Sequence, residues 1–196
     1  MPHRTQASHF PARKLRFIPA LVAALSVKHP IHGQLIRDRI GQRRVIAFAW
    51  EPVAELLKEA NLRDLIAESW EELSPHKEQL QLAVDYEKMM AWEQAGIYRV
   101  WTARAEGVLA GFIGFQIVPH LNYRHTLFAF DKGHYLSPAY RGKGWAGIKL
   151  WGAACEALKA LGVKTVIAHD NTVHPLDSFF ERLGFEPRST LYWKAL

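Results

Sequence analysis

From about residue 127 to residue 169 the chain reads strand, glycine turn, helix, strand, and that succession constrains the fold more than any other feature. "TLFAFDKGHYLSP" is rich in aromatic residues and closes on Pro138, which cannot extend a hydrogen-bond ladder. "WAGIKLWGAACEALKALG" places Trp145, Ile148, Leu150, Trp151, Ala154, Leu158 and Leu161 at helical spacing. "VKTVIAHD" is a strand again. Two strands of one sheet joined through a helix need a right-handed crossover, which makes them parallel.

The connection into that helix is "SPAYRGKGWA". At a strand-to-helix turn, unpaired amide N–H groups and the positive end of a helix dipole converge on one point. Gly142 and Gly144 lack a Cβ, so the backbone there can approach an anion closely and adopt positive φ. Arg141 and Lys143 add charge that anionic oxygens favour. The competing reading is a tight turn with solvated basic residues.

The flanking sequence supplies the rest of a sheet. "RRVIAFAW", "IYRVWTARAEG" and "VLAGFIGFQIVPH" are strand candidates, the last two joined by a hairpin-like connection. "EPVAELLKEANLRDLIAESWEEL" reads as one or two helices with Pro52 in a first turn, and "HKEQLQLAVDYEKMMAWEQAG" as an amphipathic helix closed by Gly96. "PLDSFFERLGF" is a short helix stopped by Gly184, and "STLYWKAL" a last strand. The class is α/β (α+β): a mixed, mostly antiparallel central sheet with one parallel strand–helix–strand crossover and helices on both faces. Trp70, Tyr86, Trp92, Trp101 and Phe112 read as core.

With 196 residues the chain is most simply one domain over 43–196, preceded by a basic extension, 1–42, that carries "PARKLR", "RDR" and "QRR". "RKLRFIPALVAALSVKHP" loosely mimics a signal peptide, but Pro19 interrupts its apolar run and no Ala-x-Ala site follows. The single cysteine, Cys155, rules out an intramolecular disulfide and fits a reducing, cytoplasmic compartment; inside the helix it reads as a small buried residue. A net charge of +6 allows an anionic ligand, yet the basic residues are dispersed, which argues against nucleic acid as the partner. No apolar run reaches the roughly 18 residues of a membrane span. His169 and His174 have no cysteine or HExxH spacing beside them, so no metal site is expected.

Over roughly residues 43 to 196 the chain resembles the GCN5-related N-acetyltransferase (GNAT) superfamily. The family's acyl-CoA motif is Gln or Arg, two residues, Gly, one residue, then Gly or Ala; "RGKGWA" matches it with Arg141, Gly144 and Ala146. "FFERLGF" is similar to the family's later "FYEKLGF", and lies about 35 residues downstream. "LFAFDKGHYLSPAYRGKG" followed by "HPLDSFFERLGF" also resembles a subgroup common in phage and prophage genomes. The resemblance implies that the amides of Gly142 to Ala146, with Lys143 and Trp145 among them, hold the pyrophosphate of coenzyme A. It implies that the strand ending near Leu136 hydrogen-bonds the pantetheine arm and splays from "VKTVIAHD" to admit it. Acetyl-CoA is then the co-substrate, and an amine the acceptor.

Acyl transfer to an amine needs a neutral nucleophile, a donor for the carbonyl oxygen, and a proton for the departing thiolate. Asp131, His134 and His169 are the candidates to face the thioester. Against them stand blander readings: Asp131 as a strand-end residue, His134 pointing to the opposite face, His169 capping a strand. Asp131 or His169 is the preferred base. Asn171 is a candidate to bond the cofactor arm or to shape a turn. Phe180 stands where many relatives carry tyrosine, so the tyrosine general-acid route is closed at that position. Glu71 and Glu72 fall where the family builds its acceptor site and could bind a cationic substrate, although a solvated helix face is the preferred reading. The acceptor stays open, as does a homodimer. The alternative function is a non-catalytic, regulatory acyl-CoA-binding module.

Overall fold

The computed structural model describes residues 32–37, 43–142, 145–171 and 174–194, the first eight of these positions (32–37, 43 and 44) by their backbone alone. In chain order they form β1 (His32–Arg37), β2 (Arg43–Trp50), α1 (Val53–Leu56), α2 (Leu62–Leu73), α3 (Tyr86–Gln94), β3 (Tyr98–Ala105), β4 (Val108–His120), β5 (Tyr123–Leu136), a 3-10 turn (Pro138–Tyr140), α4 (Ala146–Ala160), β6 (Val163–Ile167) and α5 (Asp177–Arg182). Six strands make one sheet in the order β1-β2-β3-β4-β5-β6. Every neighbouring pair is antiparallel except β5 and β6, which the α4 crossover makes parallel.

Each face of the sheet buries its own core. On one side Ile46, Trp101, Phe115 and Ala129 of the strands pack against Leu150, Trp151, Ala154 and Leu158 of α4, with Phe180 of α5. Positions 150, 151, 154 and 158 form one helical stripe, so the sequence spacing translates directly into this contact. On the other side Tyr98, Val100, Leu109 and Tyr135 meet Val53 and Leu56 of α1 and Leu62 and Leu65 of α2. Helices therefore cover both faces of a mixed sheet.

Three elements differ from the sequence reading. β1 pairs with β2 from inside the segment 1–42, so the sheet starts earlier than residue 43. The helix expected across residues 76–96 begins only at Tyr86, where the Asp85 side chain accepts the Lys88 amide at 2.9 Å and caps it. Ahead of that cap Leu80 and Leu82 are 50% and 42% exposed, and an apolar stripe with nothing to bury against holds no helix. The described part of "STLYWKAL" is not a strand; Leu191, Tyr192 and Trp193 are exposed and pair with no neighbour in the sheet. The core also admits fewer aromatics than expected: Trp101 is buried, whereas Trp70 and Tyr86 are only partly buried.

Candidate active site

β4 pairs with β5 from Tyr123 to Leu136, but β6 follows β5 only from Leu127 to Phe130. Past Phe130 the parallel strands part. His169, just beyond β6, stands at the fork, its Nδ1 3.2 Å from the carbonyl oxygen of Asp131. The parted stretch of β5 keeps ladder groups on its open edge, and buried ladder groups call for partners.

That stretch also carries a bulge. Gly114 pairs with Gly133 and Phe115 with Asp131, which leaves Lys132 without a partner of its own. In a regular strand, residues three apart face opposite sides. The extra residue cancels the alternation and turns Asp131 and His134 to the same face. Gly133 takes φ +136°, a region that side-chain-bearing residues rarely enter, and its amide donates to Asp131 Oδ1 at 2.7 Å. The other oxygen, Oδ2, lies 3.0 Å from His134 Nδ1. With Asp131 accepting, Nδ1 carries the hydrogen and Nε2 is left for other work. Asp131 is 4% exposed. His134 is half-buried, its ring edge-on to Trp151 of α4 at 5.4 Å and to Phe180 of α5 at 6.1 Å.

The turn into α4 follows directly. Gly142 takes φ +89° and Trp145 takes φ +63°, and among the described residues no side chain caps the start of α4. Ala146 opens the helix at 1% exposure, whereas the Trp145 side chain projects outward, 63% exposed. Lys143 and Gly144 lie outside the described residues. Arg141 is already engaged: its Nε donates to the Leu136 carbonyl, its Nη1 and Nη2 donate to the two carboxylate oxygens of Glu72, and the guanidinium lies 4.8 Å over the Tyr135 ring. The hydrogen bond from Arg141 holds the Glu72 carboxyl below the usual carboxylate range.

The C-terminal end of α2 thereby ties together the two sides of the fork. Glu72 holds Arg141 beyond β5, Glu68 accepts from the Tyr135 hydroxyl at 3.3 Å, and the Leu73 carbonyl accepts from Asn171 Nδ2 at 2.9 Å. Asn171 thus spends its amide on α2.

Asp131, His134 and His169 come together at the fork, and Phe180 closes it on the α5 side. Phe180 is 8% exposed and packs edge-to-face on Trp151 and Phe185. Leu136, Arg141, Gly142, Trp145 and Ala146 line the way from β5 to α4. Sequence reasoning missed Glu68 and the Arg141–Glu72 pair, which join positions 69 residues apart. It also missed the pairing of Asp131 with His134, although a glycine inside a strand pattern is a bulge signal. Burial pushes the Cys155 thiol up to about 11, so it keeps its proton, as a small packing residue would. Among the described residues no group of three or more His, Cys, Asp or Glu side chains is placed to hold a metal ion, and no helix is long and apolar enough to cross a membrane.

A mixed sheet that opens between two parallel strands, with a glycine turn and an uncapped helix start beside the opening, defines the acyl-CoA N-acyltransferase fold. The chain belongs to the acetyltransferase (GNAT) family, whose pattern matches residues 60–185, and is an N-acetyltransferase. No curated protein matches it in sequence. Solved structures do. An aminoglycoside acetyltransferase from an uncultured soil metagenomic sample, in complex with sisomicin, is 15% identical over 77% of this chain and 96% of its own, with a TM-score of 0.58. A ribosomal-protein-alanine N-acetyltransferase from Brucella melitensis is 15% identical over 77% of this chain and 99% of its own, at 0.57. An aminoglycoside N-acetyltransferase, AAC(6')-Iy, in complex with CoA is 19% identical over 79% and 97%, at 0.57. At such identities the likeness is one of fold.

Proposed function

We propose that the protein transfers the acetyl group of acetyl-CoA to a primary amine by direct attack in a ternary complex. The observation that carries this reading is the end of β5–β6 pairing at Phe130 and Ile167, together with the glycine turn and α4 start that follow β5 in the chain. Pyrophosphate oxygens would accept from the amides of the glycine turn, where the dipole of α4 adds its positive end. The residues present fit that role: Gly142 frees the backbone, Ala146 keeps the helix start small, and Arg141 is fixed as a brace rather than aimed at the anion. The pantetheine arm would then take up ladder groups on the open edge of β5. Bound acetyl-CoA supplies the activated acyl group; the chain orients it and excludes water from it.

The acceptor class is inferred from the kin of the fold. One relative is crystallised with the aminoglycoside sisomicin and another is named for ribosomal-protein alanine, so a small polyamine and a protein N-terminus are the first to try. A reducing, cytoplasmic setting would supply the co-substrate. The likeness to a phage-type subgroup rests on motif order alone. Release of free thiol from acetyl-CoA with sisomicin, and with a peptide that begins in alanine, tests the reading, with mass spectrometry of the product. An acetylated amine supports it. Acetyl-CoA binding without thiol release from any amine would replace it with the non-catalytic module.

A further inference from the structure

We propose that Asp131 and His134 form a proton-relay pair on the open edge of β5, with His134 as the residue that meets the thioester sulfur. The proposal rests on the acetyl-CoA reading above and names the group that handles its protons. A pantetheine arm that leaves the turn at Gly142 and follows β5 toward the fork passes His134 before the sheet closes at Phe130. Both oxygens of Asp131 are spent, one on the Gly133 amide and one on His134 Nδ1, and its side chain is 3% exposed. Asp131 is thus a positioning residue that fixes the ring and stabilises its charged form. His169 spends its Nδ1 on the Asp131 carbonyl. Phe180, beside the histidine ring, has no proton to give. That leaves the Nε2 of each histidine, and of the two rings that of His134 is the one hydrogen-bonded to a carboxylate.

In the reaction, Nε2 accepts a proton from the attacking amine as the new carbon–nitrogen bond forms. The imidazolium, held by Asp131, returns that proton to sulfur as the carbon–sulfur bond breaks. The amine loses one proton, the thiol gains it, and the histidine ends as it began. The groups packed on the ring from α4 and α5, Trp151 and Phe180, do not titrate. The titratable neighbours are Asp131 on its own strand, His169 across the fork, and Tyr98 of β3, which lies within electrostatic reach of Asp131.

An imidazolium beside a thiol favours the thiolate, as it does in cysteine–histidine pairs. The test titrates coenzyme A bound to the full chain by the ultraviolet absorbance of its thiolate, in wild type, His134→Gln and Asp131→Asn. A free thiol of this kind titrates near that of cysteine, about 8.5. In the wild type the bound thiol should titrate at least about one unit lower. In His134→Gln that shift should vanish, and in Asp131→Asn most of it should. Thiol release from acetyl-CoA with a responsive amine should fall at least about tenfold in both. A wild-type bound thiol at the free value overturns the relay whether or not the variants fold, as does an unshifted difference between wild type and His134→Gln. Failure of coenzyme A to bind the wild type at all overturns the acetyl-CoA reading, and the relay with it.

Discussion

Gly133 has φ +136° and open space where a Cβ would stand, so conformation rather than crowding selects glycine there. Gly133→Ala should destabilise the fold by on the order of 1–3 kcal/mol in chemical denaturation, and should separate Asp131 from His134. Gly114 is selected by crowding instead. A Cβ on it would stand 2.2 Å from the hydroxyl oxygen of Tyr98, which is buried at 6% exposure with its ionisation pushed up by burial. Gly114→Ala should cost about 1–3 kcal/mol, as overpacking does, and Tyr98→Phe in the same chain should return part of it by removing the atom in the way. Full additivity of the two changes would contradict the contact.

Among the elements, β3 is fastened to β2 and to the loop after α1 by charge. Arg104 donates to both oxygens of Glu51 and to Glu59, and Thr102 donates to Glu51. Burial alone would raise the Glu51 carboxyl, yet hydrogen bonds from Arg104 and Thr102 hold it below the ordinary 4.5. Glu72 is likewise held low by Arg141. A carboxyl depressed on folding contributes stability that is full above its unfolded value and is lost as pH falls through the folded one. Melting temperature should therefore drop as pH falls below about 4.5, and Glu51→Gln should blunt the drop. Glu93, pushed up by burial, runs the other way: its share is full below the ordinary value and is lost as pH rises through the folded one. These ties could not be read along the chain, because each joins residues that only the tertiary fold brings together, such as Arg104 and Glu51, 53 apart. What could be read was local: the stripe of α4, the hairpin between β3 and β4, and the glycine turn all declare themselves within one element's length. The segment 76–85 and the tail 189–194 misled because their patterns were real but their apolar faces found no partner. The bulge at Lys132 lies between these cases, since a lone glycine in a strand hints at it but only pairing with β4 fixes its register.

For the molecule as a whole, every described residue of the fork and the turn lies beyond Trp50, while β1 belongs to the first 42 positions. Deleting residues 1–42 should keep acetyl-CoA binding but uncover the edge of β2, whose unpaired ladder groups invite another chain. Sedimentation of the truncated protein should show self-association that rises with concentration; a strictly monomeric truncation with unchanged melting would mean that β1 is dispensable to the sheet. The proposed transfer requires acetyl-CoA to lie between the glycine turn and the fork. Calorimetric titration of acetyl-CoA into the wild type and into Gly144→Glu tests that most directly, because a carboxylate in the turn meets the anion with bulk and like charge. The expected result is saturable one-to-one binding by the wild type and at least a roughly tenfold weaker affinity in the variant, a loss of about 1.4 kcal/mol or more, with its cooperative melt retained. Equal affinity in the two proteins would contradict it.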